Sequence, residues 1–374
     1  MSGQPLNRLQ RHPGAANFLL LTFSTLLSLV LGEVALRIVQ RAPVDNPHQL
    51  FTEYHPVLGW QKKAGFTGIH VGPEGIYRVR ESLNSKGIRG PEYPYEKPPE
   101  EFRILVLGDS YAEGYTVEFD DLFSEVLKRR LQKEQRRPVQ VINAGTGGYS
   151  TDQELLWFTT EGIKYRPDLT VLLFCYNDVL FNTVDRYWRG YKPAFRIDGD
   201  SLRLTNVPVP PPLPAAQQPI PPPPSVERWL YQSSYVYRAL RDVISAGETS
   251  EPDYVRFADW RKATDEEKRA GWNITRALLA KLDAEARSTG SRFLLMIVPG
   301  NKEVTRGVVS ICSETSINCI DPTARFWDEG LKLKQHGRKL TYAPLDEHWN
   351  AAGHGLAADV LADYILSRGY LSGP

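Results

Sequence analysis

The chain has 374 residues, of which 41% are hydrophobic and 24% are charged, and its formal net charge is +1. This length and composition are those of an ordinary globular protein with room for one large domain or two small ones. A nearly neutral chain without a basic stripe lacks the electrostatic signature of nucleic-acid binding. We therefore expect no nucleic-acid partner, but a small molecule, a polymer or another protein.

The N-terminal part of the chain contains one long apolar stretch. Residues 18–39 read FLLLTFSTLLSLVLGEVALRIV. A helix needs roughly 20 apolar residues to cross a bilayer. This stretch reaches that length only if Glu33 and Arg37 lie near the membrane interface. Two arginines precede the stretch, which favours a cytoplasmic N-terminus at residues 1–17. No clean small-x-small cleavage site is present, so the pattern predicts an uncleaved transmembrane anchor. A removed signal peptide and a soluble apolar helix are the alternatives.

The cysteines bear on the compartment in which the protein works. Cys312 and Cys319 bracket a short polar loop, which favours a disulfide in an oxidising compartment, with two unpaired thiols as the alternative. Cys175 lies in the apolar run VLLFC and is expected to be a buried thiol. A disulfide would agree with a domain on the outer, periplasmic side of the membrane.

Beyond the anchor, the chain changes pattern several times. Residues 40–100, here called the lead-in segment, are rich in Gly, Pro and Tyr and predict short strands and turns. Over residues 101–374, apolar runs such as FRILVLG, PVQVINAG and DLTVLLFCYND alternate with amphipathic helical patterns. This alternation predicts an α/β fold with a central parallel sheet between two layers of helices. An insertion at residues 186–264 interrupts it, and its Pro-rich tract at 207–224 is expected to be an extended linker or loop.

Polar residues follow three of the predicted strands and precede the last predicted helix. Ser110 follows the first strand in GDS, glycines at 143–150 follow the second in NAGTGGYS, and Asn177 follows the third in YND. Asp346 and His348 lie in DEHWN, where a carboxylate beside a histidine could activate a serine. Each signal alone has an ordinary explanation as a helix cap or a turn. Because active sites of parallel sheets lie beyond the carboxyl ends of the strands, the four together predict one site.

Taken together, the four blocks resemble those of the SGNH (GDSL-like) hydrolase family over about residues 100–185 and 270–370. GDSYAEG resembles the nucleophile block, NAGTGGYS the glycine block, YND the asparagine block and DEHWNAAGH the terminal block. The resemblance implies a flavodoxin-like three-layer α/β/α fold. It also implies a nucleophile, Ser110; a base, His348, with its partner Asp346; and an oxyanion hole formed by Ser110, Gly148 and Asn177.

Two features depart from the family pattern. Cys175 stands where the third block usually begins with Gly, and only Glu347 separates Asp346 from His348, where two residues are usual. The short Asp-x-His-Trp pattern is similar to that of bacterial alginate O-acetylation proteins, although in those proteins the pair precedes the serine. His354, in NAAGHGLAA, is the nearest competitor for the role of base and is expected on a helix face.

The resemblance implies a serine esterase that acts through an acyl-enzyme and uses neither a metal nor a cofactor. We expect its substrate to be an ester such as an acetylated polysaccharide, from which it removes short acyl groups outside the cytoplasmic membrane. Two alternatives stay open. One is an O-acetyltransferase that acts on exported polysaccharide, and the other is a non-catalytic scaffold that binds a glycan or an envelope partner protein.

Overall fold

The computed structural model describes residues 13–39, 51–134, 137–187, 190–199, 201–211 and 260–371, together with Ser234, Val236, Tyr237 and Leu240. The chain divides into two compact units. One consists of Met1–Val44 and Leu213–Ser250, and the other of Asp45–Pro212 and Glu251–Pro374.

The first unit contains helix α1, Pro13–Val39. The carboxylate of Glu33 on this helix accepts hydrogen bonds from Ser234 Oγ and from the backbone N–H of Val236, each at 3.0 Å. Within the described residues, no helix combines the length and the apolar character that crossing a membrane requires. The transmembrane anchor predicted at residues 18–39 is therefore not supported.

The described part of the lead-in segment, residues 51–100, belongs to the second unit and forms two antiparallel hairpins. Strands β1 (Thr52–His55) and β2 (Gly59–Lys62) form the first, and β3 (Thr67–Val71) and β4 (Arg78–Ser82) form the second. This arrangement confirms the short strands and turns that were predicted for the segment.

The first half of the α/β domain follows directly. Its elements are β5 (Phe102–Gly108), α2 (Ser110–Glu113), α3 (Phe123–Glu134), β6 (Val139–Asn143), α4 (Thr151–Thr160), β7 (Leu169–Phe174) and α5 (Asp178–Phe181). Each of the three strands is an apolar run with most side chains fully buried, as expected for a parallel strand that has helices on both faces.

The region predicted as an insertion begins with two further antiparallel hairpins. They pair β8 (Arg186–Tyr187) with β9 (Gly190–Tyr191), and β10 (Ala194–Asp198) with β11 (Ser201–Thr205). Most of the Pro-rich tract and of the aromatic segment that follows it lies outside the described residues, so the predictions for them stay predictions.

The second half of the domain returns to alternating helices and strands. Its elements are α6 (Asp265–Ser288), β12 (Arg292–Ile297), α7 (Lys302–Thr315), β13 (Asn318–Ile320), α8 (Thr323–Gln335), β14 (Thr341–Tyr342), β15 (Asp346–Trp349) and α9 (Ala351–Ser367). A disulfide joins Cys312 at the end of α7 to Cys319 in β13, as predicted, whereas Cys175 is a buried free thiol. A location outside the cytoplasm agrees with this disulfide and stays a prediction.

Five strands form the central sheet in the order β6-β5-β7-β12-β13, and all of them are parallel. This is the flavodoxin-like strand order, which confirms the predicted fold. Along β5, Leu105 and Leu107 face the core beneath α4, α6 and α7, while Ile104 and Val106 face the core beneath α3 and α9. Because β5 lies between β6 and β7, the segments that follow these three strands meet at one edge of the sheet.

Candidate active site

Ser110 lies at a sharp turn from β5 into α2. Gly108 has a φ of +153°, and a Cβ at this position would lie 2.7 Å from the Cβ of Ala112, so the turn requires glycine. Asp109 caps the short helix by accepting a hydrogen bond of 2.9 Å from the backbone N–H of Tyr111. Burial raises the pKa of the Asp109 carboxyl. The turn leaves Ser110 partly accessible at the carboxyl edge of the sheet.

The terminal motif forms strand β15, and this explains its unusual spacing. Side chains two residues apart on a strand project from the same face, so a single intervening residue aligns Asp346 with His348. The Nδ1 atom of His348 lies 2.6 Å from Oδ1 of Asp346, and the backbone N–H of His348 donates to the same oxygen at 2.9 Å. The departure from the family spacing is therefore compatible with a working acid–base pair.

The same imidazole reaches the serine. His348 Nε2 lies 2.8 Å from Ser110 Oγ. A proton on Nδ1 that is donated to Asp346 leaves Nε2 free to accept the proton of the hydroxyl, as a serine hydrolase requires. The structure thus brings together three residues from the two ends of the α/β domain, as the sequence predicted.

Asp346 is held in its charged form by its neighbours. Burial by itself would raise the pKa of this carboxyl, but the hydrogen bonds and charge of His348 and a hydrogen bond from Tyr77 outweigh burial, and the pKa lies below its usual value. The Tyr77 hydroxyl donates to Asp346 Oδ2 at 2.8 Å. A second tyrosine, Tyr115, has its hydroxyl 3.0 Å from His348 Nδ1. An ionised Asp346 can stabilise the imidazolium that forms during catalysis.

The two further oxyanion-hole candidates follow the strands on either side of β5. Gly148 follows β6 and has a φ of +79°, in the left-handed region that glycine adopts without strain. Asn177 follows β7, and its side chain makes no capping hydrogen bond to α5. The ordinary explanation of Asn177 as a helix cap is therefore wrong. The amide of Asn143 ties the glycine loop to α2, since it donates to Ala112 O at 2.6 Å and accepts from Gly145 N at 2.9 Å.

His354 is not part of the site. It lies in α9 with 1% of its surface exposed, and its Nδ1 accepts a hydrogen bond of 3.4 Å from the backbone N–H of Phe123. Burial lowers its pKa to about 3, so the ring is neutral at ordinary pH. His354 is a core residue, as expected from its position on a helix face.

A cleft of about 700 Å³ opens beside the residues that adjoin Ser110 and His348. Its lining combines aromatic rings, polar and charged side chains, and small residues: Tyr111, Tyr176, Trp260, Arg261, Lys262, Pro299, Gly300, Asn301, Thr341, Ala343 and Glu347. The Tyr111 ring lies 4.8 Å from the His348 ring, and its hydroxyl donates to Glu347 O at 3.2 Å. The cleft therefore reaches a tyrosine that packs against His348.

The lead-in segment contributes buried contacts to the site that its sequence did not predict. Lys62, in β2, forms a buried ion pair of 2.7 Å with Glu113 of α2, and the other oxygen of Glu113 accepts a hydrogen bond of 2.5 Å from Gly147 N. His70, Glu81 and Glu113 form a group of possible metal ligands, but the Lys62 ammonium is paired with both glutamates. The sequence offered no local signal for this role, because the ion pairs of Lys62 join residues from separate parts of the chain.

Comparison with known proteins agrees with this geometry. Residues 106–274 match the model of the GDSL-like Lipase/Acylhydrolase family. The match includes Ser110, Gly148 and Asn177 and ends before Asp346 and His348, whose place in the site follows from the distances above. No curated protein matches the chain.

Several solved structures resemble the chain weakly. A lipase/acylhydrolase from Enterococcus faecalis is 15% identical with a TM-score of 0.40, and the match covers 71% of this chain and 96% of that one. An acetyl xylan esterase is 12% identical with a TM-score of 0.39, covering 71% and 100%. A catalytic mutant of an acetylxylan esterase from Geobacillus stearothermophilus is 14% identical with a TM-score of 0.39, covering 73% and 95%.

These likenesses are too weak to indicate the chemistry of this protein. The chemistry of the site is therefore inferred from the residues of this chain alone. The family model matches the segments that follow three adjacent strands. Residues 106–274 are thus similar to the GDSL-like lipase/acylhydrolase family, and this match indicates a hydrolase that acts on esters.

Proposed function

We propose that this protein is a serine esterase that works through an acyl-enzyme, with Ser110 as its nucleophile. The observation that supports the proposal is the continuous chain of contacts from Ser110 Oγ to His348 Nε2 at 2.8 Å and from His348 Nδ1 to Asp346 Oδ1 at 2.6 Å. A serine hydroxyl is a weak nucleophile until an adjacent base accepts its proton, and an oriented base is what this chain supplies.

The reaction proceeds in two displacements. Ser110 Oγ attacks the ester carbonyl carbon as its proton passes to His348 Nε2, and the alcohol leaves with that proton when the tetrahedral intermediate collapses. Water then gives a proton to His348 and attacks the acyl group, which releases the acid and restores the serine. Asp346 keeps the imidazole in one orientation and stabilises its charged form throughout.

The negative oxygen of the intermediate requires hydrogen-bond donors. The backbone N–H groups of Ser110 and Gly148 and the side-chain amide of Asn177 are the donors in our proposal, because they follow the adjacent strands β5, β6 and β7. Donors fixed by the ends of a rigid sheet need little reorganisation when charge develops on the substrate.

Replacing Asn177 with alanine tests this assignment. We expect kcat to fall by about 10²–10³-fold with little change in KM, because the lost amide stabilises the transition state more than the bound ester. The melting temperature should stay close to that of the wild type, since the Asn177 side chain caps no helix. A kcat within about twofold of wild type, a change of only about 0.4 kcal/mol, would remove Asn177 from the oxyanion hole.

The cleft supports a substrate with a small acyl group on a hydroxyl-rich alcohol. Beside its three aromatic rings, the cleft has five polar or charged lining residues, namely Arg261, Lys262, Asn301, Thr341 and Glu347. A long acyl chain is held best by a largely apolar wall, whereas a sugar combines an apolar face with many hydroxyl groups. We propose that the enzyme removes acetyl or similarly short groups from a carbohydrate.

Esters of graded chain length test the proposal directly. With the full-length protein, we expect kcat/KM to be highest for p-nitrophenyl acetate and to fall through the butyrate to the octanoate. Free acetate should also be released from acetylated xylo-oligosaccharides. A rise in kcat/KM with chain length would contradict the short-acyl proposal. If added oligosaccharide acquired the acetyl group in place of water, the protein would be a transferase.

A further inference from the structure

The catalytic aspartate lies outside the central sheet and depends on support from other parts of the chain. Asp346 belongs to the two-stranded ribbon of β14 and β15. Its Oδ1 atom accepts from both the ring and the backbone of His348, while Oδ2 accepts from the hydroxyl of Tyr77 at 2.8 Å. Tyr77 lies 269 positions earlier in the sequence, in the lead-in segment.

Tyr77 is itself held firmly. Its exposed fraction is 9%, and its ring packs with those of Tyr342 at 5.0 Å and Tyr115 at 6.2 Å. The backbone of Gly72 lies against the ring, since a Cβ on that glycine would be 2.5 Å from a ring carbon. A side chain packed in this way loses little further freedom when its hydroxyl forms a hydrogen bond.

We infer that Tyr77 is a positioning residue, which fixes the Asp346 carboxylate in the plane and orientation that His348 needs as a base. The χ2 torsion of an aspartate is soft, so a hydrogen bond to the second oxygen narrows the range of orientations that the carboxylate can adopt. The hydrogen bond from Tyr77 fixes the second oxygen, and a hydrogen bond to a charged acceptor is stronger than one between neutral groups. The lead-in segment is thereby part of the active site, although it lies outside the residues that match the family model.

The pKa directions agree with this arrangement. The hydrogen bond from Tyr77 helps to keep the pKa of Asp346 below its usual value against the opposing effect of burial. Burial, followed by the charge of Asp346, raises the pKa of the Tyr77 hydroxyl, so the tyrosine stays protonated and remains a donor.

The test compares two tyrosines of one aromatic cluster. Tyr342 packs on Tyr77, but its hydroxyl donates to Thr116 O at 3.2 Å. Tyr77→Phe and Tyr342→Phe therefore each remove one hydroxyl group from neighbouring rings, and both variants retain the packing of the ring. In the full-length protein we expect Tyr77→Phe to lower kcat for p-nitrophenyl acetate by about 10-fold with KM unchanged. Tyr342→Phe should change kcat by less than about twofold, because it removes no contact with the reacting groups.

A double-mutant cycle separates positioning from a general structural effect. If Tyr77 acts through Asp346, Tyr77→Phe should cost less than about twofold when added to Asp346→Ala. An equal loss in both backgrounds, a wild-type kcat for Tyr77→Phe, or an equal loss for Tyr342→Phe would overturn the inference. The inference rests on the proposed function. If Ser110→Ala retains activity, the proposed function fails, whereas failure of Tyr77→Phe alone leaves that function intact.

Discussion

Ser110→Ala is expected to lower kcat/KM for p-nitrophenyl acetate by at least about 10⁴-fold, because the variant has no nucleophile to form an acyl-enzyme. Some activity above the uncatalysed rate should survive, since the oxyanion donors can still act on an attacking water. The hydroxyl lies at an accessible turn and its hydrogen bond runs to His348, so the fold should tolerate its loss.

A serine-directed phosphonate gives an independent measurement. Mass spectrometry should show one label on wild-type protein, located in the peptide that contains Ser110, and no label on Ser110→Ala. Ser367→Ala is the matched control, because Ser367 lies at the end of α9 and its hydroxyl donates to Tyr364 O at 3.0 Å. That control should label and turn over like wild type. Undiminished esterase activity in Ser110→Ala would refute the proposed function.

The sheet could be predicted because its strands are buried on both faces. Continuous apolar runs such as FRILVLG and DLTVLLFCYND are typical of a central strand in a parallel sheet. Helix α7 connects the parallel strands β12 and β13 and buries Val304, Val308 and Ile311. A crossover between parallel strands is usually helical, so the pairing of the strands would have predicted this helix.

The candidate site residues could be predicted for a different reason, because the motifs that suggest chemistry lie where the parallel strands end. Ser110 and His348 were identified from their motifs, and the structure places them in contact. The spacing of Asp346 and His348 departs from the family pattern, and the pairing of β15 with β14 in a strand ribbon accounts for it. Tyr77 left no local signal, since its role depends on a contact between residues far apart in the chain.

The largest effect on stability is expected from Lys62→Met. Lys62 has 7% of its surface exposed, and its ammonium pairs with both Glu81 and Glu113 in the interior. Removing one partner of a buried ion pair leaves unpaired charge in a medium of low polarity. We expect the free energy of unfolding at pH 7 to fall by about 3–5 kcal/mol, as measured by urea denaturation.

An exposed ion pair provides the matched control. Lys164 pairs with Glu161 at 2.7 Å, but 49% of its side chain is exposed. Lys164→Met should lower the free energy of unfolding by less than about 1 kcal/mol, because water screens the pair. Equal losses for Lys62→Met and Lys164→Met would show that the buried network adds no more to stability than an exposed ion pair.

The loss of unfolding free energy in Lys62→Met should also depend on pH. The direction of this dependence is determined by the pKa of Glu81. Burial opposes the charge of Glu81, but Lys62 first, and then His70, outweigh burial and hold its pKa below the usual value. In the wild type, the stabilisation from this carboxylate is therefore present above its unfolded pKa of about 4.3 and is lost as the pH falls. Lys62 is the largest of the effects that oppose burial, ahead of His70 and Arg89. We therefore expect its removal to raise the pKa of Glu81, so that the folded variant takes up a proton as the pH falls. The difference from wild type should thus shrink between pH 7 and about pH 5. A deficit that stays constant over this interval would show that lost packing, rather than uncompensated charge, destabilises the variant.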